Sequence, residues 1–485
     1  MKFKRYENMI NMPKMTNNHI HIFAMYPYYK FLKKIKKIDP ELYNNIYILN
    51  KECNSSNYCL PINTLYVINE QNEGNPYDDP TTPADWNKLT DTVVSKKQYI
   101  IPKSSVNSWE MLEKIQSMVG MFVRNYKIYY YYWYLSLYIN YKHNVFYLNV
   151  RKKPGSICKD VKMGSKLFMS SVNKLSYDEF VSELKKIDRP LKPYEYKYAY
   201  KQYASIKYES DLILLAVDNF NKTKKKLKFI ENDKLINYNI NTNYQTKYTG
   251  EPQMMIQYII TFPKPSKNTE QDAKFFNLIN VICHIAIIIN KKYNFPFFNG
   301  IDFVGNEDQS DNNILILAID RLKYLKKYNI TIIPHIGETK LVNKEIEQII
   351  KHSLNNNITR FAHGLLIPQS NSLMQKIKSM NKKIYSEICP ISNARLKYFS
   401  VKNNPYRKFI NNALINIIIC SDDNALFGYY TVTNDYIALK HYWKLDNETF
   451  KKIILNGISC INPKYVKYYT ELFEALWDKF IKIDN

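Results

Sequence analysis

Four short stretches hold most of the side chains in this sequence that could do metal and acid–base chemistry together. "HIH" places His19 and His21 two residues apart, and "PHIGE" sets His335 three residues before Glu338. "FAHG" carries His363, and "SDD" pairs Asp422 with Asp423. Residues two apart on a strand face the same way, so His19 and His21 can grip one ion. With His335 and Asp422 they form a nitrogen and oxygen donor set suited to zinc, leaving room for water. Zinc lowers the pKa of a water it binds from about 16 to about 7, which makes a nucleophile at neutral pH. Glu338 would then pass a proton to the atom that gains charge as water adds, and His363 or Asp422 could take the water's proton. Asp423 is placed to read a hydrogen-bond donor or protonated ring nitrogen of the substrate. His143, His284, His352 and His441 fall in helical or surface contexts and read as structural.

Those residues must be positioned by something, and the pattern of apolar runs says what. Eight runs read as strands, most ending in polar residues: "HIHIFAM" from His19, "VFYLNVR" from Val145, "MIQYIITF" from Met255 and "NGIDFVGNED" from Asn299. "ITIIPHIGE" from Ile330, "TRFAHG" from Thr359, "KIYSEICP" from Lys383 and "NIIICSDD" from Asn416 complete them. Segments of helical period separate them. Eight alternations of strand and helix predict an α/β fold of the (β/α)8 TIM-barrel kind, with function gathered on the C-terminal strand ends. On this division residues 1–18 are a short N-terminal extension and 19–485 the barrel. Two stretches exceed a minimal barrel: an insertion at 48–104, and a second, rich in Lys, Asn and Tyr, at 160–254.

The chain has 485 residues and a formal charge of +25, from 69 Lys and Arg against 44 Asp and Glu. Such a balance would raise a polyanion partner, yet Lys, Asn, Ile and Tyr are abundant throughout, as an AT-rich coding sequence would dictate. The densest run, "NKTKKKLKF" from Asn221, reads as a solvated loop. Seven scattered cysteines with no CxxC exclude a thiolate zinc knuckle; Cys53 and Cys59 alone are close enough in sequence to close a small disulfide. Asn54, Asn221 and Asn447 begin glycosylation-like triplets, which an Asn-rich chain also makes by chance. The first 18 residues lack the apolar core of a signal peptide, and the apolar runs read as too short to cross a bilayer, so a cytoplasmic protein without a membrane span is expected. A cytidine-type nucleic-acid deaminase would need H-x-E with P-C-x-x-C, which is absent.

Taken in order, HxH, GxDxVGxED, HxGE, RxxHG, EICPISN and SDDxxxFG resemble the adenosine deaminase superfamily, metal-dependent barrels that convert adenosine to inosine and ammonia. "SEICPISNARL", "SDDNALFG", "GIDFVGNED", "WEMLEKIQSMVG" and "LWDKFI" are most similar to the adenosine deaminase-related growth factors, the adenosine deaminase-2 type. The resemblance implies one Zn2+ held by His19, His21, His335 and Asp422. It implies that Glu338 protonates purine N1, that His363 orients and deprotonates the water, that Asp423 holds N7, and that the Gly305 backbone meets N3. Trp109 matches a tryptophan near the ribose. The nucleoside adenosine, with 2'-deoxyadenosine, is the expected substrate. The 48–104 insertion occupies the place of the family's receptor-binding domain, so a cell-surface receptor or glycan, a homodimer and secretion are the further expectations the family brings. The chain departs from the pattern at Ile22, where an acid usually binds ribose, at Asn306 for His, at Asn424 for Pro and at Ile336 for Ala. These changes touch specificity and leave AMP or an N6-modified adenine nucleotide as the rival substrate. A growth-factor or decoy protein with weak catalysis is the rival of another class.

Overall fold

In the computed structural model, the described residues are 4–44, 126–155, 174–189, 191–223, 241–265, 272–307, 310–339 and 343–484, with three short strands and Leu112 between the first two blocks. All eight apolar runs form parallel strands. They are β1 (Met15–His21), then β5 (Val145–Lys152), β6 (Met255–Pro263) and β7 (Phe298–Val304). The fifth is divided into β8 (Thr331–Ile332) and β9 (His335–Ile336), and β10 (Arg360–His363), β11 (Ile384–Ile388) and β12 (Ile415–Ile419) follow. One sheet runs β1-β5-β6-β7-β8 and the other β12-β11-β10-β9. They close through the divided strand and through a parallel bridge between Ile20 and Asp422. The result is the expected TIM barrel.

Two boundaries differ from the sequence reading. The first strand starts at Met15 and ends at His21, so HIH closes it instead of opening it, and the extension stops at Lys14. The ammonium of Lys14 is buried and donates to the carbonyls of Met9, Ile10 and Met12 at 2.6–3.1 Å. The fifth strand divides because Pro334 has no N–H to give the ladder. Ile333 still bonds to Ile301 O at 2.8 Å, and Ala362 bonds to Pro334 O at 3.0 Å, so each half serves one neighbour.

Helices cover the strands. After β1 come α1 (Tyr28–Ile38) and α2 (Pro40–Asn44), then an antiparallel sheet of β2 (Ile46–Leu49), β3 (Leu65–Val67) and β4 (Trp86–Lys88) in the 48–104 region. Before β5 lies α3 (Tyr126–Lys142), and between β5 and β6 lie α4 (Tyr177–Lys185) and α5 (Tyr196–Thr223). The second proposed insertion thus contains a long helix that packs on α3 and β6 and forms part of the barrel wall. Its sequon asparagine, Asn221, is engaged with both backbone groups of Met254. Next are α6 (Asp272–Tyr293), α7 (Asn312–Leu322), α8 (Lys344–Asn355), α9 (Asn371–Met380) and α10 (Pro390–Arg395). The chain ends with α11 (Thr433–Trp443), α12 (Asn447–Ser459) and α13 (Pro463–Asp484). Starts follow the capping rules: Asp311, Asn343, Ser370 and Asp446 each accept from the first turn they precede.

The sequence reading that no apolar run could span a bilayer needs one correction. Within α6, Ala273–Tyr293 is long and apolar enough to do so. It is largely buried and packs against α5 and β7, which is why a wall helix can be so apolar. Gly457 in α12 shows how closely the helices approach: a Cβ there would lie 2.6 Å from Thr16 Oγ1, and Asn18 Nδ2 donates to its carbonyl at 2.8 Å.

Candidate metal and proton-transfer site

All eight strands being parallel, their C-terminal ends share one rim, and the chemistry-bearing side chains collect there. His19 and His21, from the end of β1, have ring centroids 5.4 Å apart; His335, from β9, stands 4.5 Å from the first and 5.5 Å from the second. Asp422, just beyond β12, brings Oδ1 to 3.4 Å from His19 Nε2 and 3.3 Å from His21 Nε2. Donor atoms of all four residues lie within 4.8 Å of one another, a spacing one metal ion can bridge. Both ring nitrogens of His19 are buried and neither makes a hydrogen bond. Three imidazoles and a carboxylate, with a buried imidazole left unpaired among them, fit zinc. A second, overlapping group joins His19, His363, Cys389 and Asp422.

The candidate proton carriers stand beside this set. His363 Nε2 is 3.6 Å from Glu338 Oε1 and 3.9 Å from Asp422 Oδ2. Burial pushes the Glu338 carboxyl well above its usual range, the Asp422 charge adding and Lys264 opposing. Burial likewise holds His363 well below the ordinary imidazole value, so it is neutral and able to accept a proton. Burial would raise Asp422, but its contacts with His19 and His21 prevail and keep it well below the carboxylate norm. Two carboxyl groups in one site are thus driven apart, Glu338 upward and Asp422 downward, which is how acid and base roles separate.

Backbone strain marks the same residues. His363 and Asp422 adopt φ of 58° and 56°, a left-handed conformation that residues with a Cβ rarely take. Each is held by neighbours. Ser392 Oγ donates to Asp422 Oδ2 at 2.6 Å, and Asn393 Nδ2 lies 3.2 Å from His363 Nδ1 and 3.5 Å from Glu338 Oε1.

Of the residues read from sequence, His19, His21, His335, Glu338, His363 and Asp422 converge. Asp423 is buried next to Asp422, and its charge helps raise His21 above its ordinary value against the effect of burial. Gly305 lies one residue beyond β7, exposed, with φ of 132°. Trp109, Cys53 and Cys59 lie outside the described residues, as does most of the 221–229 basic run. The four histidines read as structural have structural partners: His284 meets backbone carbonyls of Asn280 and Arg189, His352 meets Asp320, His143 meets Thr431 and Thr433, and His441 meets Tyr6. Ile22 and Ile336 are fully buried, and Asn424 is fixed by Ser421 and the Tyr430 carbonyl.

Sequence reasoning missed the layer beneath. Asp302 Oδ2 contacts His335 Nδ1 at 2.6 Å, and Glu387 Oε2 lies 3.2 Å from His19 Nδ1. Glu307 Oε1 accepts from Gly337 N at 2.9 Å and stands 3.6 Å from Lys264 Nζ, supporting the turn that carries Glu338. A signal existed: a charge inside an otherwise apolar strand, as in "GIDFV", "YSEIC" and "YLNVR", needs a buried partner.

Comparison with known proteins bears on the family and the fold. The adenosine deaminase family model matches residues 292–464. Adenosine deaminase 2 of Dictyostelium discoideum is 30% identical over 205 residues, 41% of this chain and 36% of that protein, so the matched part spans about a third of the relative's length. Among solved structures, the N6-mAMP deaminase of Arabidopsis superposes with a TM-score of 0.54 at 13% identity, over 96% of this chain and 99% of that one. An amidohydrolase from Burkholderia ambifaria, solved with bound Zn, gives 0.55 at 10% identity over 99% and 96%. At these identities the structural likeness establishes the fold.

Proposed function

The chain belongs to the adenosine deaminase superfamily, and on that premise we propose that it is a zinc-dependent hydrolase converting adenosine, and 2'-deoxyadenosine, to inosine and ammonia. The observation that carries this reading is the convergence, from separate strands, of four potential ligands with one protonated and one neutral proton carrier. His19, His21, His335 and Asp422 would hold the ion, which when bound supplies the Lewis acidity that makes water a nucleophile at neutral pH.

The protein's own groups do the rest. Glu338, kept protonated by burial, donates to the ring nitrogen adjacent to the carbon under attack, so that no anion builds up on the purine. His363, kept neutral, accepts the proton that water loses as its oxygen bonds to C6. Returning that proton to the exocyclic nitrogen restores His363 and lets ammonia leave, while the proton shed by the C6 hydroxyl as it becomes the carbonyl restores Glu338, the ring nitrogen keeping the one it received. Asp423, buried beside the ligand set, holds purine N7. Gly305, whose φ of 132° suits a residue without a Cβ, presents bare backbone to the opposite edge of the ring.

A specific observation favours a second reading, AMP or an N6-modified adenine nucleotide. Ile22 is fully buried and gives the sugar no acid to bind. The test is the fall in ultraviolet absorbance on adding adenosine, AMP or N6-methyl-AMP to zinc-loaded protein, with Glu338→Gln as control. Inosine from adenosine with wild type alone supports the first reading, and a higher kcat/KM for a nucleotide replaces it with the second. Zinc bound stoichiometrically with no turnover of any of the three overturns both and leaves a binding role. Deletion of 48–104 then tests whether that segment carries a receptor or glycan partner.

A further inference from the structure

Arg151, at the C-terminal end of β5, is fully buried and spends its donors on three other strands. Nε donates to Asp302 Oδ2 at 2.7 Å, Nη2 to Glu387 Oε2 at 2.6 Å and Nη1 to the carbonyl of Asn18 at 2.9 Å. The two carboxylate oxygens it touches are the same two that back ligand histidines. Asp302 Oδ2 meets His335 Nδ1 at 2.6 Å, while Asp302 Oδ1 accepts the His335 backbone N–H at 2.8 Å. Glu387 Oε2 lies 3.2 Å from His19 Nδ1. Arg360 Nε holds the other oxygen of Glu387 at 2.6 Å, and its Nη2 reaches the Asn18 carbonyl at 3.1 Å.

We propose that Arg151 is a positioning residue for the metal centre, a yoke that makes Asp302 and Glu387 one rigid unit and so sets His335 and His19 together. The proposal rests on the reading of His19 and His335 as metal ligands. A guanidinium has donors only, so the oxygens it touches act as acceptors. His335 Nδ1, bonded to Asp302 Oδ2, is therefore an N–H with the lone pair on its opposite nitrogen; His19 Nδ1 faces the Glu387 carboxylate at 3.2 Å without a hydrogen bond, and that charge favours the same arrangement, with the lone pair on the nitrogen opposite. For His19 that nitrogen is Nε2, the atom turned toward Asp422. Ring orientation and tautomer on β1 and β9 thus follow from one residue on β5, acting through β7 and β11. Two arginines and two carboxylates also balance in charge among themselves, so the unit can persist whether or not an ion is held. Lysine could replace the charge but not the planar fork that reaches both carboxylates at fixed angles.

The experiment compares wild type with Arg151→Lys, using zinc affinity by chelator competition and the visible ligand-field bands of the cobalt-substituted protein. Outer-shell partners of metal ligands are typically worth about 10- to 100-fold in affinity. Arg151→Lys is expected to weaken zinc by roughly that factor and to shift the cobalt bands, because two ligand rings lose their setting at once. A folded Arg151→Lys with wild-type affinity and unchanged bands overturns the yoke while leaving the proposed function standing. A wild type that binds no metal overturns both. Should Arg151→Lys fail to fold, Asp302→Asn, Glu387→Gln and their double variant decide the matter. Sharing one guanidinium, they should be coupled, the double losing clearly less affinity than the product of the single losses; independent, multiplicative losses overturn the proposal.

Discussion

Gly364, the residue after His363, offers a perturbation whose size can be worked out beforehand. Its φ is 62°, and a Cβ there would stand 2.9 Å from Tyr406 Oη and 3.0 Å from Ile367 Cδ1. Gly364→Ala therefore meets two costs. The left-handed conformation costs a residue with a Cβ about 1–2 kcal/mol. The overlap must also displace Tyr406, which is fully buried and whose hydroxyl donates to Gly364 O at 2.7 Å and contacts Ser386 Oγ at 2.6 Å. Losing or lengthening these bonds costs about 1 kcal/mol each, and strain of the crowded side chains adds more. The sum is roughly 3–4 kcal/mol before that strain, with His363 moved by the same backbone adjustment. The assay is urea unfolding followed by tryptophan fluorescence and circular dichroism, alongside kcat on the preferred substrate. The alanine variant should unfold at clearly lower urea and lose kcat more than KM changes. An alanine variant with the wild-type midpoint and kcat would show that the turn has room the structure does not give it.

Three other outcomes are expected. Lys264 lowers the affinity of Glu338 for its proton, so Lys264→Met should raise that carboxyl further and move the alkaline limb of kcat/KM to higher pH; a shift to lower pH contradicts the assignment of Glu338 as the acid. His143 is pushed down to about 4 by burial, with Lys14 and Lys142 adding, from 6.5. Since its folded value is depressed, its contribution is complete above pH 6.5 and is lost as pH falls toward 4, up to about 3 kcal/mol by linkage. His143→Gln should flatten that part of the stability–pH curve, measured as urea midpoints, and an unaltered slope counts against it. Zinc at about 100 times its dissociation constant should stabilise wild type by about 2.7 kcal/mol through mass action. The gain should shrink sharply in His21→Ala, and equal stabilisation of both would place the ion elsewhere.

How far the sequence reached differs from layer to layer. The eight strands were legible because buried parallel strands are written as continuous apolar runs, and a helix of 3.6 period intervenes between each pair. HIH, HIGE, FAHG and SDD were legible because ionisable groups at the ends of such runs have no place in the core they leave. The divided fifth strand was less so, since Pro334 removes a donor without changing the apolar pattern around it. The long helix α5 was hidden by Tyr, Lys and Asn, which blur the apolar stripe.

By itself, then, the sequence determined the barrel and the residues gathered at its C-terminal rim as candidates for metal and proton chemistry, all of which depend on local pattern and on the order of strands in a closed parallel sheet. Tertiary structure alone decided the state of each group. Burial pushes the Glu338 carboxyl up, with the Asp422 charge adding, whereas contacts with His19 and His21 hold Asp422 down against the same burial. Arg151, Asp302 and Glu387 are far apart in sequence and meet only when the barrel closes, so no spacing could announce them. Electrostatic environment is set by distances across the chain, and those exist only once it has folded.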